Sequence, residues 1–121
     1  MKNFFTLSLI LRVGLACVFF VNSYSAFVDP SEFIDLISGS FVAGLLPVSV
    51  ASFITLVGFN DLIVGLLLLS GWRLTLVATY ATLWVSGVTL VIGYATLDGI
   101  EHLGYIASAL VLAIRKRLPM G

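Results

Sequence analysis

Four long apolar stretches dominate the pattern of hydrophobic and polar positions along the chain. They cover about residues 4–24, 48–70, 72–94 and 99–114, and the connections between them are short. A helix needs about 20 apolar residues to cross the hydrocarbon core of a bilayer. Helices joined by short links pack as antiparallel neighbours. The pattern therefore predicts an all-α fold, an integral membrane four-helix up-down bundle, with residues 1–121 forming a single transmembrane domain.

A short interfacial helix is predicted over about residues 30–38, between the first two spans. Asp29 is the expected N-cap, Pro30 the first helical residue, and Glu32 lies three residues after the cap. The segment is too short to cross a bilayer, so we expect it to lie at the membrane interface. A second start of the same form, Asp98 to Glu101, opens the fourth span.

The start of the second span can be placed in two ways. A helix over residues 41–59 is uncharged and long enough to cross, but it puts Pro47 in mid-helix, where proline removes a backbone hydrogen bond. A helix that begins at Pro47 or Val48 avoids this loss and continues to about Ser70. We favour the second register, which leaves Asp61 near the middle of the membrane.

The few charged residues sort by sign between the apolar stretches. Apolar residues make up 60% of the chain and charged residues 10%, and the formal net charge is zero, so the composition indicates a membrane protein and not a nucleic-acid binder. In the four-span topology the acidic and the basic residues fall at opposite ends. The basic residues are Lys2, Arg73, Arg115, Lys116 and Arg117, and the acidic ones are Asp29, Glu32, Asp35, Asp98 and Glu101. Because basic residues flanking membrane spans stay on the cytoplasmic side, we expect the basic end, and with it both termini, to be cytoplasmic.

Two charged residues, Arg12 and Asp61, lie inside apolar stretches. By the helical rise, Arg12 is about 12 Å and Asp61 about 15 Å from the cytoplasmic face. An isolated charge at mid-bilayer costs at least about 2.5–3.5 kcal/mol, part of which a facing opposite charge offsets. We favour a structural ion pair between them. The alternative is a proton or ligand site in which Asp61 changes protonation, with Asn60 and Asn22 as candidate polar assistants.

The third span carries a stripe of small and hydroxyl residues at alternating steps of four and three. Its members are Thr75, Thr79, Thr82, Ser86, Thr89 and Gly93. This spacing keeps the residues on one helix face, where small side chains permit close approach and interhelical hydrogen bonds. We favour a helix-packing seam; the alternative is the polar lining of a ligand path.

Chemistry-bearing motifs are sparse. Asp98, Glu101 and His102 predict a small polar cluster at the outer face, but one histidine with scattered carboxylates does not define metal-ligand spacing, so we predict no metal site. No phosphate-binding loop or nucleophile–histidine motif occurs. The sequence leaves catalysis open and favours a non-catalytic membrane subunit.

The order of these features resembles the DoxX/DoxD-like family of small bacterial and archaeal membrane proteins. The matching stretches are Leu-Arg-Val-Gly-Leu (11–15) with Phe-Phe (19–20), Phe-Val-Asp-Pro-Ser-Glu-Phe (27–33), the run Asp-Leu-Ile-Val-Gly to Ser-Gly (61–71), and Glu-His-Leu-Gly (101–104). The chain departs from the family pattern at residues 22–26, where the family usually has Gly and Lys. It also departs at Asn60-Asp61, where the family usually has Glu.

The resemblance implies a four-span subunit of a prokaryotic inner membrane that anchors or docks within a quinone-linked redox assembly. We expect no cofactor bound by the chain itself, with quinone implied by the resemblance. The expected partners are membrane lipid and other membrane subunits or a second copy of the chain, and no nucleic acid. Two other functions stay open, a small proton-coupled transporter and a structural or assembly protein without chemistry of its own.

Overall fold

The computed structural model describes residues 2–93 and 96–117, and side chains from residue 6 onward within those ranges. In this part of the chain the elements are five α-helices and two short 3₁₀ helices, without strands. The α-helices are α1 (Lys2–Val28), α2 (Ser31–Ser38), α3 (Val50–Ser70), α4 (Leu74–Ile92) and α5 (Leu97–Ile114), and the 3₁₀ helices are Phe41–Leu45 and Arg115–Arg117. Helices α1, α3, α4 and α5 are long and apolar enough to cross a membrane. The predicted four-helix up-down bundle with a short helix after its first span is confirmed.

Serine and threonine side chains cap the starts of α3 and α5. The Ser49 hydroxyl accepts a hydrogen bond from the Ser52 backbone N–H at 3.2 Å, so α3 follows the second of the two predicted registers. The Thr96 hydroxyl accepts from the Gly99 N–H at 2.9 Å. Helix α5 therefore begins at Leu97, and the predicted cap at Asp98 is wrong, because Asp98 already lies in the first helical turn.

Asp29 does not cap α2 as the sequence suggested. Its backbone N–H donates to the Ser25 carbonyl at 3.0 Å, which makes it the residue that ends α1. Its carboxylate instead accepts a hydrogen bond from the Ser31 hydroxyl at 2.9 Å, and α2 starts after Pro30 without a side-chain cap. Helix α1 thus ends four residues later than predicted. The predicted end of the third span, residue 94, lies outside the described residues.

A tight turn separates α3 from α4. Gly71 adopts a left-handed conformation (φ 74°) and donates its N–H to the Leu67 carbonyl at 3.1 Å, which ends α3. Arg73 also has a positive φ of 43°, so helical geometry resumes only at Leu74. We call this end of the bundle, which also holds Arg115–Arg117, the basic end. The opposite end, which holds α2, is the acidic end.

The four long helices associate as two pairs, α1 with α3 and α4 with α5. Helices α3 and α4 touch each other only sparsely, although a short turn joins them. One cluster of buried apolar residues connects the two pairs. Its members are Leu15, Ala16, Phe19, Val64, Leu68, Leu74, Val77, Ala78, Ala81, Val85, Ala109 and Leu112.

Two glycines of α3 permit close packing against α1. A Cβ added to Gly65 would lie 2.6 Å from a ring carbon of Phe20, and one added to Gly58 would lie 2.8 Å from a ring carbon of Phe27. The buried Ser23 hydroxyl donates to the Gly58 carbonyl at 2.8 Å. Small residues serve this purpose between membrane helices because they let backbones approach. The α1–α3 contact is therefore formed by phenylalanine rings lying over glycine backbone.

The hydroxyl stripe of α4 is not its packing seam. The most deeply buried face of α4 lies mainly one residue earlier, at Leu74, Ala78, Ala81 and Val85, and includes Thr89. Within the stripe, Thr75 and Thr79 are exposed, Thr82, Ser86 and Gly93 are half-buried, and Thr89 is buried. The hydroxyls of residues 79, 82, 86 and 89 each donate to the carbonyl four residues earlier in the same helix. The expectation of interhelical hydrogen bonds from the hydroxyls of Thr79, Thr82 and Thr89 is wrong, because the helix itself supplies their acceptors.

Candidate functional site

A cavity of about 550 Å³ occupies the half of the bundle toward the acidic end. All four long helices contribute to its walls, and α2 covers it. Most of the lining is apolar. These residues are Val18, Phe19, Phe33, Leu36, Ile37, Val42, Phe53, Ile54, Val57, Leu83, Val85, Val88, Val91 and Ile92. The volume lies within the range of small-molecule binding sites, about 300–1,000 Å³.

Asp61 forms the inner end of this cavity. Its side chain is 3% exposed, and it lies near the middle of α3, about 14 Å from the end of that helix by the helical rise. The residue belongs to the buried face of α3, which also includes Gly58, Val64 and Gly65 at helical spacing. The same periodicity that packs α3 against α1 therefore turns one carboxylate inward.

Asp61 belongs to a polar bridge between α3 and α4, formed by Asn60, Asp61, Tyr80 and Trp84. The Asn60 amide donates to Asp61 Oδ1 at 3.1 Å, and the Tyr80 hydroxyl donates to Asn60 Oδ1. The Trp84 side chain is a second polar neighbour of the carboxylate. Tyr80 and Trp84 are one turn apart on α4, and their rings stack with centroids 6.3 Å apart. The bridge thus joins the two helix pairs at mid-length.

The polar bridge also forms a wall between two spaces. Asp61 and Trp84 line the cavity, whereas Asn60 and Tyr80 line a groove of about 420 Å³ between α3 and α4. Trp72 and Leu76 extend this groove toward the basic end. A change at the bridge would therefore alter the inner boundary of the cavity.

Arg12 does not pair with Asp61, so the predicted ion pair is wrong. Its Nε donates to the Leu68 carbonyl at 2.9 Å and its Nη2 to the Leu69 carbonyl at 2.7 Å. A Cβ on Gly71 would lie 2.7 Å from Nη2, so the guanidinium lies at the end of α3, about 10 Å or more along the helix from Asp61. The last carbonyls of a helix have no intrahelical partner and form its negative pole. The Arg12 guanidinium is therefore bound by backbone carbonyls at the end of α3 and not by the Asp61 carboxylate.

The predicted polar cluster at the start of the fourth span is divided by the structure. Asp98 and His102 line the cavity near the acidic end, as Asn22 and Glu32 also do. His102 Nδ1 lies 2.6 Å from the Asp98 carbonyl oxygen. Glu101 does not line the cavity.

The exposed Glu101 is bound within α5. Its carboxylate accepts a hydrogen bond from the Tyr105 hydroxyl at 2.8 Å. Among the described residues, no three histidine, cysteine or acidic side chains are grouped so that they could hold a metal ion.

Tyr80 and Trp84 are site residues that sequence reasoning did not identify. Aromatic residues of membrane helices usually lie near the interfaces, whereas these two lie in the middle of α4. Their spacing of four residues places them on one face, and both carry a polar group that needs a partner in an apolar environment. The sequence signal that could have identified them is a Tyr–x₃–Trp pair in the middle of a predicted span.

Comparisons of the chain with protein-family models, with curated proteins and with solved structures find no match.

Proposed function

We propose that the chain is a DoxX-like membrane subunit that holds a quinone-type ligand in its cavity, within a membrane redox assembly. The observation that carries this proposal is a cavity with apolar walls that ends at hydrogen-bonding groups. An isoprenoid quinone has a matching shape, with an apolar tail and a compact polar ring. The cavity supports ligand binding, and the sequence resemblance supplies the quinone and the redox context.

The proposal includes an orientation with the basic end in the cytoplasm of a prokaryotic cell. Arg73 and the run Arg115–Arg117 lie at this end, and α2 and the start of α5 carry acidic residues at the other. Basic residues flanking membrane spans stay on the cytoplasmic side during insertion, so both termini would be cytoplasmic. The cavity would then lie in the outer half of the membrane.

In this role the chain binds and positions the quinone, and a partner subunit transfers the electrons. The polar side chains at the inner end of the cavity are the Asp61 carboxylate and the Trp84 indole, both of which can orient a ligand through hydrogen bonds. Recovery in mild detergent with a flavin, haem or iron–sulfur protein supports this assignment.

Quinone binding is testable through tryptophan fluorescence. The chain has two tryptophans, of which Trp84 lines the cavity and Trp72 lies in the turn after α3. In Trp72→Phe protein in nanodiscs, we expect a short-chain menaquinone to quench Trp84 emission with saturation, because the quinone contacts the indole. Val57→Phe, which places a larger side chain on the cavity wall and so reduces the space for the quinone, should weaken the quenching several-fold.

The matched control is Trp84→Phe, which leaves only Trp72. Here we expect shallow quenching that rises linearly with quinone concentration, as for a residue reached by collision from the lipid. Equal and non-saturating quenching of the two single-tryptophan proteins would contradict the proposal, as would saturation that Val57→Phe leaves unchanged.

A small proton-coupled transporter is the second candidate. It is favoured by Asp61, a carboxylate that lines the cavity while Arg12 is bound elsewhere. Ionisable residues inside a membrane bundle commonly mark ion or proton pathways. A self-contained dimer in mild detergent, without a redox protein, favours this candidate over the first.

A further inference from the structure

The charged side chains that line the cavity all have the same sign in the part of the chain that the structure describes. Glu32 and Asp98 lie toward the acidic end and Asp61 at the inner end, with no lysine or arginine among the lining residues. A cleft lined by one sign of charge concentrates ligands of the opposite sign and excludes others. Both ends of this cavity therefore favour a positively charged ligand.

Asp61 lacks a countercharge among the described side chains. Its polar neighbours, the hydrogen-bonded Asn60 amide and the Trp84 indole, are both neutral groups. Arg12, the one described basic residue within the apolar part of the bundle, is bound to carbonyls at the end of α3. A buried charge is costly unless an opposite charge accompanies it. A cationic ligand at the inner end of the cavity would supply that charge.

The aromatic side chains beside Asp61 add a second attraction for cations. Trp84 lines the cavity, and its ring is stacked with that of Tyr80. The face of an indole ring attracts a positive charge, and this attraction increases when the ion has lost its water. A carboxylate, an indole and apolar walls together match an ion whose charge is surrounded by hydrocarbon.

We propose that the cavity binds lipophilic cations, with the positive charge between Asp61 and Trp84 and the hydrocarbon groups against the apolar walls. The ligand class is a drug-sized organic amine, quaternary ammonium or phosphonium ion. The proposal rests on the cavity being a ligand site, as in the proposed function, and it is independent of whether a quinone binds there.

Two ions of nearly identical size and shape test the charge requirement, tetraphenylphosphonium and tetraphenylborate. Isothermal titration of the full chain in nanodiscs of uncharged lipid, with empty nanodiscs subtracted, should show saturable phosphonium binding. Borate binding should be at least tenfold weaker. Comparable affinity for the two ions overturns the proposal, and this comparison needs no altered protein.

A pair of variants with the same change in net charge locates the binding site. Asp61→Asn should weaken phosphonium binding at least tenfold, because the amide keeps the shape and removes the charge. Asp35→Asn, on the exposed side of α2 away from the cavity lining, should change affinity less than twofold. Equal losses in the two variants, or none, overturn the proposal.

The outcomes separate this inference from the proposed function. Charge-selective phosphonium binding without saturable menaquinone quenching supports lipophilic-cation binding and contradicts quinone binding. Saturable menaquinone quenching with equal affinity for the two tetraphenyl ions supports quinone binding and contradicts lipophilic-cation binding.

Discussion

The two helix pairs of the bundle are held together by different means. Between α1 and α3, Phe20 packs over Gly65, and the side chains of Ser23 and Arg12 donate to backbone carbonyls of α3. The α4–α5 pair instead presents fully buried alanines at positions 78, 81 and 109. Its hydroxyls mostly bond within their own helix, and Arg115, in the 3₁₀ helix that follows α5, donates from Nη1 to Thr75 Oγ1 of α4 at 2.9 Å.

This difference shows that one membrane protein can use two levels of packing specificity. The α1–α3 contact depends on particular residues opposite one another, because a ring over a glycine or a guanidinium at a helix end has few substitutes. The α4–α5 contact depends on small volume along a face, which several residue types provide. The pairs should therefore respond differently to matched substitutions.

Arg12→Met should have the largest effect on stability. Methionine keeps the length of the side chain but removes the donors to the Leu68 and Leu69 carbonyls. We expect a loss of about 2–3 kcal/mol, since hydrogen bonds from charged donors contribute roughly that much and the carbonyls lose their partner. Thermal unfolding in a mild detergent measures it. The neighbouring lipid-exposed Val13→Met should unfold like the unaltered chain, and a similar midpoint for both variants would show that the arginine contact is not structural.

Gly65→Ala should rank second. The added Cβ would lie 2.6 Å from the Phe20 ring, so the ring or the helix must move, which typically costs about 1–3 kcal/mol. Gly104→Ala in α5 is the matched control, because nothing lies within 4 Å of its added Cβ. There alanine should be neutral or slightly stabilising through helix propensity. Equal unfolding midpoints would remove the distinction between the pairs.

Thr79→Val should have the smallest effect, within about 0.5 kcal/mol, because the exposed Thr79 hydroxyl bonds only within α4. Ala78→Val, one position earlier on the fully buried face, should cost about 1–3 kcal/mol by overpacking. The same unfolding assay compares them. If Thr79→Val were the more damaging change, the hydroxyl stripe would be the packing seam after all.

The bundle could be predicted because the bilayer imposes a length and an apolar composition on each span. Helix ends were less predictable, since they depend on which of several nearby polar side chains caps the helix, as Ser49 and Thr96 do. In the last turn of α1, Phe27 packs over Gly58 of α3, a contact that sequence spacing does not reveal.

The candidate site could be predicted in part. Asp61 and its neighbour Asn60 were identified because polar groups in an apolar run are visible in the sequence. The partner of Arg12 was missed because backbone carbonyls carry no sequence signal, although Gly71 marks where those of α3 become unpaired. The partnership of the polar pair on α3 with Tyr80 and Trp84 depends on how α3 and α4 align, which no local pattern specifies.

The placement of the close phenylalanine–glycine contacts has a consequence for the order in which the protein is made. Every residue of the α1–α3 contact, including the Arg12 acceptors, precedes α4 in the chain. That pair has all its partners before the third span leaves the ribosome. The cavity, in contrast, needs Asp98 and His102 from the last span. Ligand binding would therefore report that biosynthesis and membrane insertion have reached the final helix.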